Sequence, residues 1–271
     1  MQFNRFRLSE LSTGRLLEAV CRRAAEIPHF LSWFGRSGLA RENRDQLSKF
    51  HNIHRGERCF IIGNGPSLKK MDLSVLRDEY SFGLNRIYLL FDQIGFLPPY
   101  YVCINELVLE QFSNEIQGYN KPKFLNWNRR TLFENADSDT NFVKVRLALR
   151  DVFRKDIRKP ISSGGTVTYA AMQIAYFMGF QTVILIGVDH SYRSRGIPNR
   201  TVARSEDQDL DHFHPEYFPK GSKWQPPDLI RSEVAYRLAR RVFEADGRVI
   251  LDATVNGNCT IFDKVDFTDL F

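Results

Sequence analysis

The chain has 271 residues, 43% of them apolar and 26% charged, with a formal net charge of +6. That is the composition of a soluble globular protein, long enough for one large α/β domain or two small ones. The basic excess suits a phosphate-bearing ligand, an anionic membrane or a nucleic acid without choosing among them. Cys21, Cys59, Cys103 and Cys259 form no CxxC pair, which argues against a zinc ribbon or a redox dithiol.

In chain order, residues 1–56 read as a helical N-terminal extension. Leu16, Leu17, Val20, Ala24, Ile27 and Leu31 recur at helical spacing with Arg15, Arg22 and Arg23 between them. Phe30, Trp33 and Phe34 then meet Arg36 and Arg41. Such a segment packs on the main domain or a partner subunit, or lies on a membrane surface through residues 15–41; packing is the expectation. The opening residues lack the unbroken apolar core of a signal peptide. No stretch approaches the ~18 apolar residues of a membrane span. A reduced, cytoplasmic protein is expected, at the inner face of the membrane if residues 15–41 touch it.

From residue 57 the pattern alternates strand and helix. Strands are expected at Arg58–Gly63, Ser81–Leu84, Tyr100–Ile104, "KFLN", "NFVKV", "TVILIG" and finally "RVILDA". Helices are expected at Leu68–Tyr80, Leu107–Ile116, "GGTVTYAAMQIAYFMGF" and "SEVAYRLARRVFEADG". This alternation predicts a Rossmann-like, mostly parallel sheet with helices on both faces over residues 57–271. Residues 190–227 break the rhythm: polar, rich in Arg, Asp, His and Pro, and long enough to be a lid. The lid is expected to be mobile without ligand and to close over it.

Six places carry chemistry-bearing residues. "IIGNGPS" is neither a P-loop nor GxGxxG. Gly63 and Gly65 still allow a tight turn, Pro66 can start a helix with Ser67, and the free N–H groups there would attract an anion. Asn64, Asn85 and Asn105 end the first three strands and are expected to converge on one cleft at the carboxyl edge of the sheet. Singly, each would serve as a helix cap or turn residue. In "KPISSGGTVTY", Ser162 and Ser163 can cap a long helix whose first turn Gly164 and Gly165 leave bare, a second anion site near Arg158 and Lys159. Asp189 ends a buried strand and His190, Ser191 and Tyr192 follow it. In "DLDHFHPEYF", His212 and His214 suit a general base. Asp207, Asp209 and Asp211 alternate as in a DxD metal motif or a hydrated acidic turn.

The order of "GNGPSL", "LN-x-x-Y", an Asn after strand three, "ISSG" opening a helix, "IxLIGVDHSY" and a later His-rich loop resembles the bacterial sialyltransferases of glycosyltransferase family 42. It resembles more closely the DUF115 or MptE-like proteins, which include the central domain of flagellin-glycosylating motility-associated factors. The group takes its label from an archaeal 6-hydroxymethylpterin diphosphokinase. The similarity spans about residues 57–271.

The sialyltransferase resemblance implies a variant of the GT-A fold and a CMP-sugar donor, with no metal. It implies that Asn64, Asn85 and Asn105 hold CMP, that Ser163 and the following backbone meet the donor carboxylate and phosphate, and that Asp189 lies near the nucleotide. Tyr192 would steady the leaving phosphate, and His212 or His214 would deprotonate the acceptor. Pro160 stands where those enzymes carry a basic residue, with Lys159 one place earlier. The expected function is transfer of sialic acid or another 2-keto sugar acid to a glycan or glycolipid acceptor in surface polysaccharide or glycoconjugate synthesis. Homo-oligomers fit this reading; nucleic acid does not. The alternatives are an ATP- and Mg²⁺-dependent diphosphokinase, with Asp189, Asp207, Asp209 and Asp211 as metal candidates, and a non-catalytic nucleotide-binding scaffold.

Overall fold

A computed structural model describes residues 13–35, 38–134, 137–146, 150–193 and 196–271. The first twelve residues of the expected extension, Arg36, and the side chains of Arg15, Leu16, Leu17 and Arg22 lie outside the described residues. Two helices, α1 (Thr13–Phe34) and α2 (Gly38–Ser48), precede the sheet. Trp33 of α1 is buried edge-on against Trp127, and Ala40, Asn43 and Leu47 of α2 are buried. The segment thus packs on the domain, while Val20, Ile27, Leu31 and Phe34 of α1 face outward.

Eight strands form one sheet: β1 (Arg58–Ile62), β2 (Ser81–Leu84), β3 (Tyr100–Cys103), β4 (Lys123–Asn126), β5 (Thr140–Val143), β6 (Thr182–Ile186), β7 (Val249–Asp252) and β8 (Asp263–Lys264). Their order is β8-β7-β6-β1-β2-β3-β4-β5, and every pair is parallel. The unbroken apolar runs CFII and VILI are buried on both faces, as the interior of a parallel sheet requires. The sheet has one strand more than the sequence pattern predicts, because the two-residue β8 is too short to show a period.

The expected helix over Leu68–Tyr80 is instead two 3-10 turns, Pro66–Lys70 and Leu73–Leu76. Met71 is extended, and the Asp72 carboxylate accepts from the N–H and hydroxyl of Ser74, starting a new turn where a helix would have continued. The helix expected over Leu107–Ile116 also breaks, at Phe112, into α3 (Glu106–Gln111) and a single turn at Ser113–Gln117. The two long helices form as expected. In α4 (Val167–Met178) all but the first residue are buried, and Gly179 ends it with a positive φ. α5 (Leu229–Ala245) starts three residues earlier than its apolar pattern, because the Asp228 carboxylate caps it by accepting from Arg231 N–H.

Connections run to one side of β1 for β2–β5 and to the other for β6–β8. The β1/β6 boundary is therefore the topological switch point, and the crevice above its carboxyl ends is where such sheets bind ligands. The loop after β6 lies across this edge, apart from residues 194 and 195, which are outside the described residues. It carries a short antiparallel pair, Val202–Ala203 with Lys223–Trp224. The loop is fastened along its length. Phe213 N–H donates to Asn64 O (2.9 Å), and Gln111 exchanges two hydrogen bonds with the Lys223 backbone (2.7 and 2.8 Å). The loop's own Phe213, Tyr217, Phe218 and Trp224 are buried.

Candidate active site

The Gly-Asn-Gly-Pro-Ser turn is shaped by the protein itself. A Cβ on Gly63 would lie 2.3 Å from the Gly187 carbonyl oxygen, and one on Gly65 only 1.8 Å from Asp189 Oδ2. The loops after β1 and β6 are thus in direct contact, joined by Gly63 N–H to Ile186 O (2.8 Å) and Gly65 N–H to Gly187 O (2.9 Å). The anion expected at this turn is the Asp189 carboxylate. It accepts from Ser67 N–H (3.1 Å) and Ser67 Oγ (2.6 Å). Burial raises the Asp189 pKa, against the opposing pull of the Ser67 bonds. Pro66 and Ser67 consequently stand behind the site wall rather than in it.

A cavity of about 660 Å³ opens above the switch point, within the range of small-molecule sites. Gly63, Asn64, Gly65, Asn85, Asn105, Ser163, Asp189, His190, Tyr192 and His212 all line it. The three strand-end asparagines therefore converge, but in two roles. Asn105 Oδ1 caps α3, accepting from Leu107 and Val108 N–H. The Asn64 and Asn85 side-chain oxygens are buried and meet no donor. An unmet buried acceptor costs about 1–3 kcal/mol, so each favours a ligand that brings a donor. Asn85 takes a left-handed φ of 48°, which asparagine tolerates better than most residues, and its backbone oxygen accepts from Tyr101 Oη.

The "ISSGGT" segment is arranged differently from its sequence reading. Thr166, not Ser162 or Ser163, caps α4, accepting from Thr168 N–H (3.3 Å). Ser162 sits in a buried two-residue strand, where its Oγ accepts from Val152 N–H (3.0 Å). Gly164 lies outside the cavity, pressed against Tyr169 and Ala235, where a side chain has no room. Gly165, Thr166, Val167 and Thr168 do line the cavity, so the positive end of a 12-residue helix faces it. The nearby cation is not Arg158, which pairs with Asp156. It is Arg231, which reaches Ser163 Oγ (3.2 Å) and forms a forked pair with Asp151. Sequence reasoning missed it because it lies 68 residues from the serine.

The two loop histidines separate. His212 lines the cavity; His214 does not, and its Nδ1 accepts from Glu216 N–H (3.2 Å) within its own turn. His212 Nδ1 meets Asp209 Oδ2 at 2.9 Å, and the ring stacks on Tyr217 at 4.0 Å and 5°. Tyr217 is held in turn by Arg86, whose guanidinium donates to the Glu216 and Tyr217 carbonyls and stacks on Phe112. The Asp209 side chain is fully buried. Burial alone would raise its pKa, but the hydrogen bond and charge of His212, the Asp211 N–H and Arg204 together bring it below the usual range. Asp209 thus stays ionised at neutral pH, holds the proton on Nδ1, and leaves Nε2 as the acceptor nitrogen.

The remaining residues complete the wall. His190 has a φ of 53° and meets Glu233 at 3.3 Å; Tyr192 stands 6.3 Å, ring to ring, from His212. The alternating aspartates do not form a DxD site. Asp207 pairs with Lys220 at the surface, and Asp209 is committed to His212 and Arg204. Among the described residues, no three His, Cys, Asp or Glu side chains converge to hold a metal ion.

A family model described as 6-hydroxymethylpterin diphosphokinase MptE-like matches residues 39–195. The chain belongs to the MptE-like family. The match takes in α2, β1–β6 and the cavity residues from Gly63 to Tyr192, but ends before Asp209 and His212 and begins after α1. No curated protein matches the chain. Among solved structures, it is similar to a MAf glycosyltransferase from Magnetospirillum magneticum AMB-1, at 17% identity and a TM-score of 0.46. The alignment covers 94% of this chain and 42% of that one, so the chain spans less than half the length of that protein. No helix among the described residues is long and apolar enough to cross a membrane.

Proposed function

We propose that this MptE-like chain is a nucleotide-sugar glycosyltransferase. It moves sialic acid or another 2-keto sugar acid from a CMP-activated donor to a glycan hydroxyl. The observation that carries this reading is the Asp209–His212 pair, presented to the same cavity as the unpaired Asn64 and Asn85 acceptors. Unpaired amide oxygens suit the amino and hydroxyl donors of a cytidine. The N-terminus of α4, with Ser163, suits the phosphate and carboxylate of the donor.

In the reaction, His212 Nε2 takes the proton of the acceptor hydroxyl, and the oxygen attacks the anomeric carbon. The bond to the CMP phosphate oxygen breaks, and that oxygen leaves with the electron pair. Helix N–H groups, Ser163 and Tyr192 would hold its charge, and Asp209 steadies the imidazolium. Asn64→Ala is expected to weaken CMP binding by about 1–3 kcal/mol, read by isothermal titration. Unchanged affinity would remove Asn64 from the site.

The family description favours a second reading, an ATP-dependent diphosphokinase, which needs Mg²⁺. The donor set does not fit that ion, because Asp189, Asp207, Asp209 and Asp211 each accept from protein donors. Transfer is expected to persist in EDTA. Complete loss in EDTA, restored by Mg²⁺, would favour the diphosphokinase. Binding of nucleotide with no turnover on any acceptor would favour a scaffold.

A further inference from the structure

The cavity extends along the sheet edge beyond the switch point. Its far end is walled by Asn126 at the end of β4, Arg129 just after it, Glu106 of α3, Val145, and Ala25 and Glu26 of α1. Neighbouring strands lie ~4.8 Å apart, so β4 stands about 14 Å from β1. This end therefore lies away from the switch point but within the same cavity. α1 precedes the family match at residues 39–195, yet it supplies part of the wall.

The wall is charged but balanced. Glu26 pairs with the buried Lys144 at 2.5 Å, and Glu106 pairs with Arg129 at 2.6 Å. The Asn128 amide donates to both carboxylates, each at 2.8 Å. Trp33 against Trp127, and Trp127 Nε1–H donating to Ser32 Oγ (2.9 Å), hold α1 at the register that places Glu26 there. Such a surface offers acceptors and donors side by side, with no unbalanced charge to attract an ion. That is the chemistry of hydroxyl recognition.

We propose that α1 closes an acceptor subsite at this end of the cavity, built for a neutral polyhydroxylated group such as a sugar ring. The proposal rests on the transferase reading above. In a direct displacement, the nucleophile and the leaving group lie on opposite sides of the reacting carbon. With the nucleotide at the β1/β6 crevice, the β3–β5 end of the same cavity is left for the acceptor.

The test uses the whole chain with neutral p-nitrophenyl hexosides, and the matching glucuronide as an anionic counterpart. Binding is followed by saturation-transfer NMR with and without CMP, and CMP affinity is measured separately. Ala25 is exposed, so Ala25→Trp fills the subsite without touching the ion pairs. It is expected to weaken hexoside binding by about tenfold or more and leave CMP affinity unchanged. Glu26→Gln, which keeps the shape, is expected to weaken it by about two- to tenfold and serves if the tryptophan variant does not fold. Hexoside binding that is absent in the wild type, unchanged in the folded variants, or weaker than glucuronide binding would overturn the subsite. Hexoside binding that falls in the variants while the wild type binds no CMP would support the subsite and count against the CMP-sugar reading.

Discussion

His212→Ala is expected to slow transfer by about 10²–10⁴-fold, the usual contribution of a positioned base. CMP affinity should barely move, because the base addresses the acceptor hydroxyl and not the nucleotide. The geometry makes the effect specific to this histidine. Its Nδ1 is bonded to a buried carboxylate, its ring is stacked on Tyr217, and it lines the cavity. His214 has none of these and lies outside the cavity, so His214→Ala should remain within about twofold of wild type. Asp209→Asn should slow turnover with His212 still in place, because the amide no longer fixes the proton on Nδ1. Steady-state rates under saturating donor check all three. A His212→Ala rate within about twofold of wild type would remove the loop from the chemistry.

Gly63→Ala is expected to destabilise the fold by about 3 kcal/mol or more, the upper range for forced overpacking. The added methyl would meet the Gly187 carbonyl oxygen at 2.3 Å and its carbon at 2.7 Å. Both are main-chain atoms of the segment after β6, which cannot turn aside as a side chain would. The Gly63 N–H to Ile186 O bond holds the two segments together. Gly56→Ala is the control: its φ is 87° but nothing lies within 4 Å, so the cost should be about 1–2 kcal/mol of backbone strain alone. Urea midpoints measure both. Equal losses would show that the chain relaxes around the added methyl, so that the contact with Gly187 does not set the cost.

The sheet was legible because its strands are unbroken apolar runs, and its order followed from the alternation with helices. The breaks at Met71 and Phe112 were not, because apolar spacing cannot register one extended residue inside a helical period. At the site, the convergence of Asn64, Asn85 and Asn105 followed from strand ends in a parallel sheet. What separated Asn105 from the other two was a side-chain cap only three-dimensional placement reveals. Gly63 and Gly65 read from the sequence as a tight turn open to an anion, whereas the groups pressed against them are Gly187 and Asp189, more than 120 residues away in sequence. Separation in sequence likewise hid Arg231, 68 residues from Ser163, and Glu26, 118 residues from Lys144. In sequence Asp209 is one of three alternating aspartates, and its hydrogen bond to His212 spans three residues in a loop with no periodicity to predict it.

The central claim is that the switch-point cavity, with Asn64 and Asn85, binds a cytidine nucleotide without a metal. Isothermal titration of CMP, UDP and ATP into the wild type and the Asn64→Ala/Asn85→Ala double variant tests it, each with EDTA and with Mg²⁺. The expected result is CMP binding in EDTA that is unchanged by Mg²⁺ and lost in the double variant. Binding of ATP alone, only with Mg²⁺ and unaffected by the two substitutions, would contradict it.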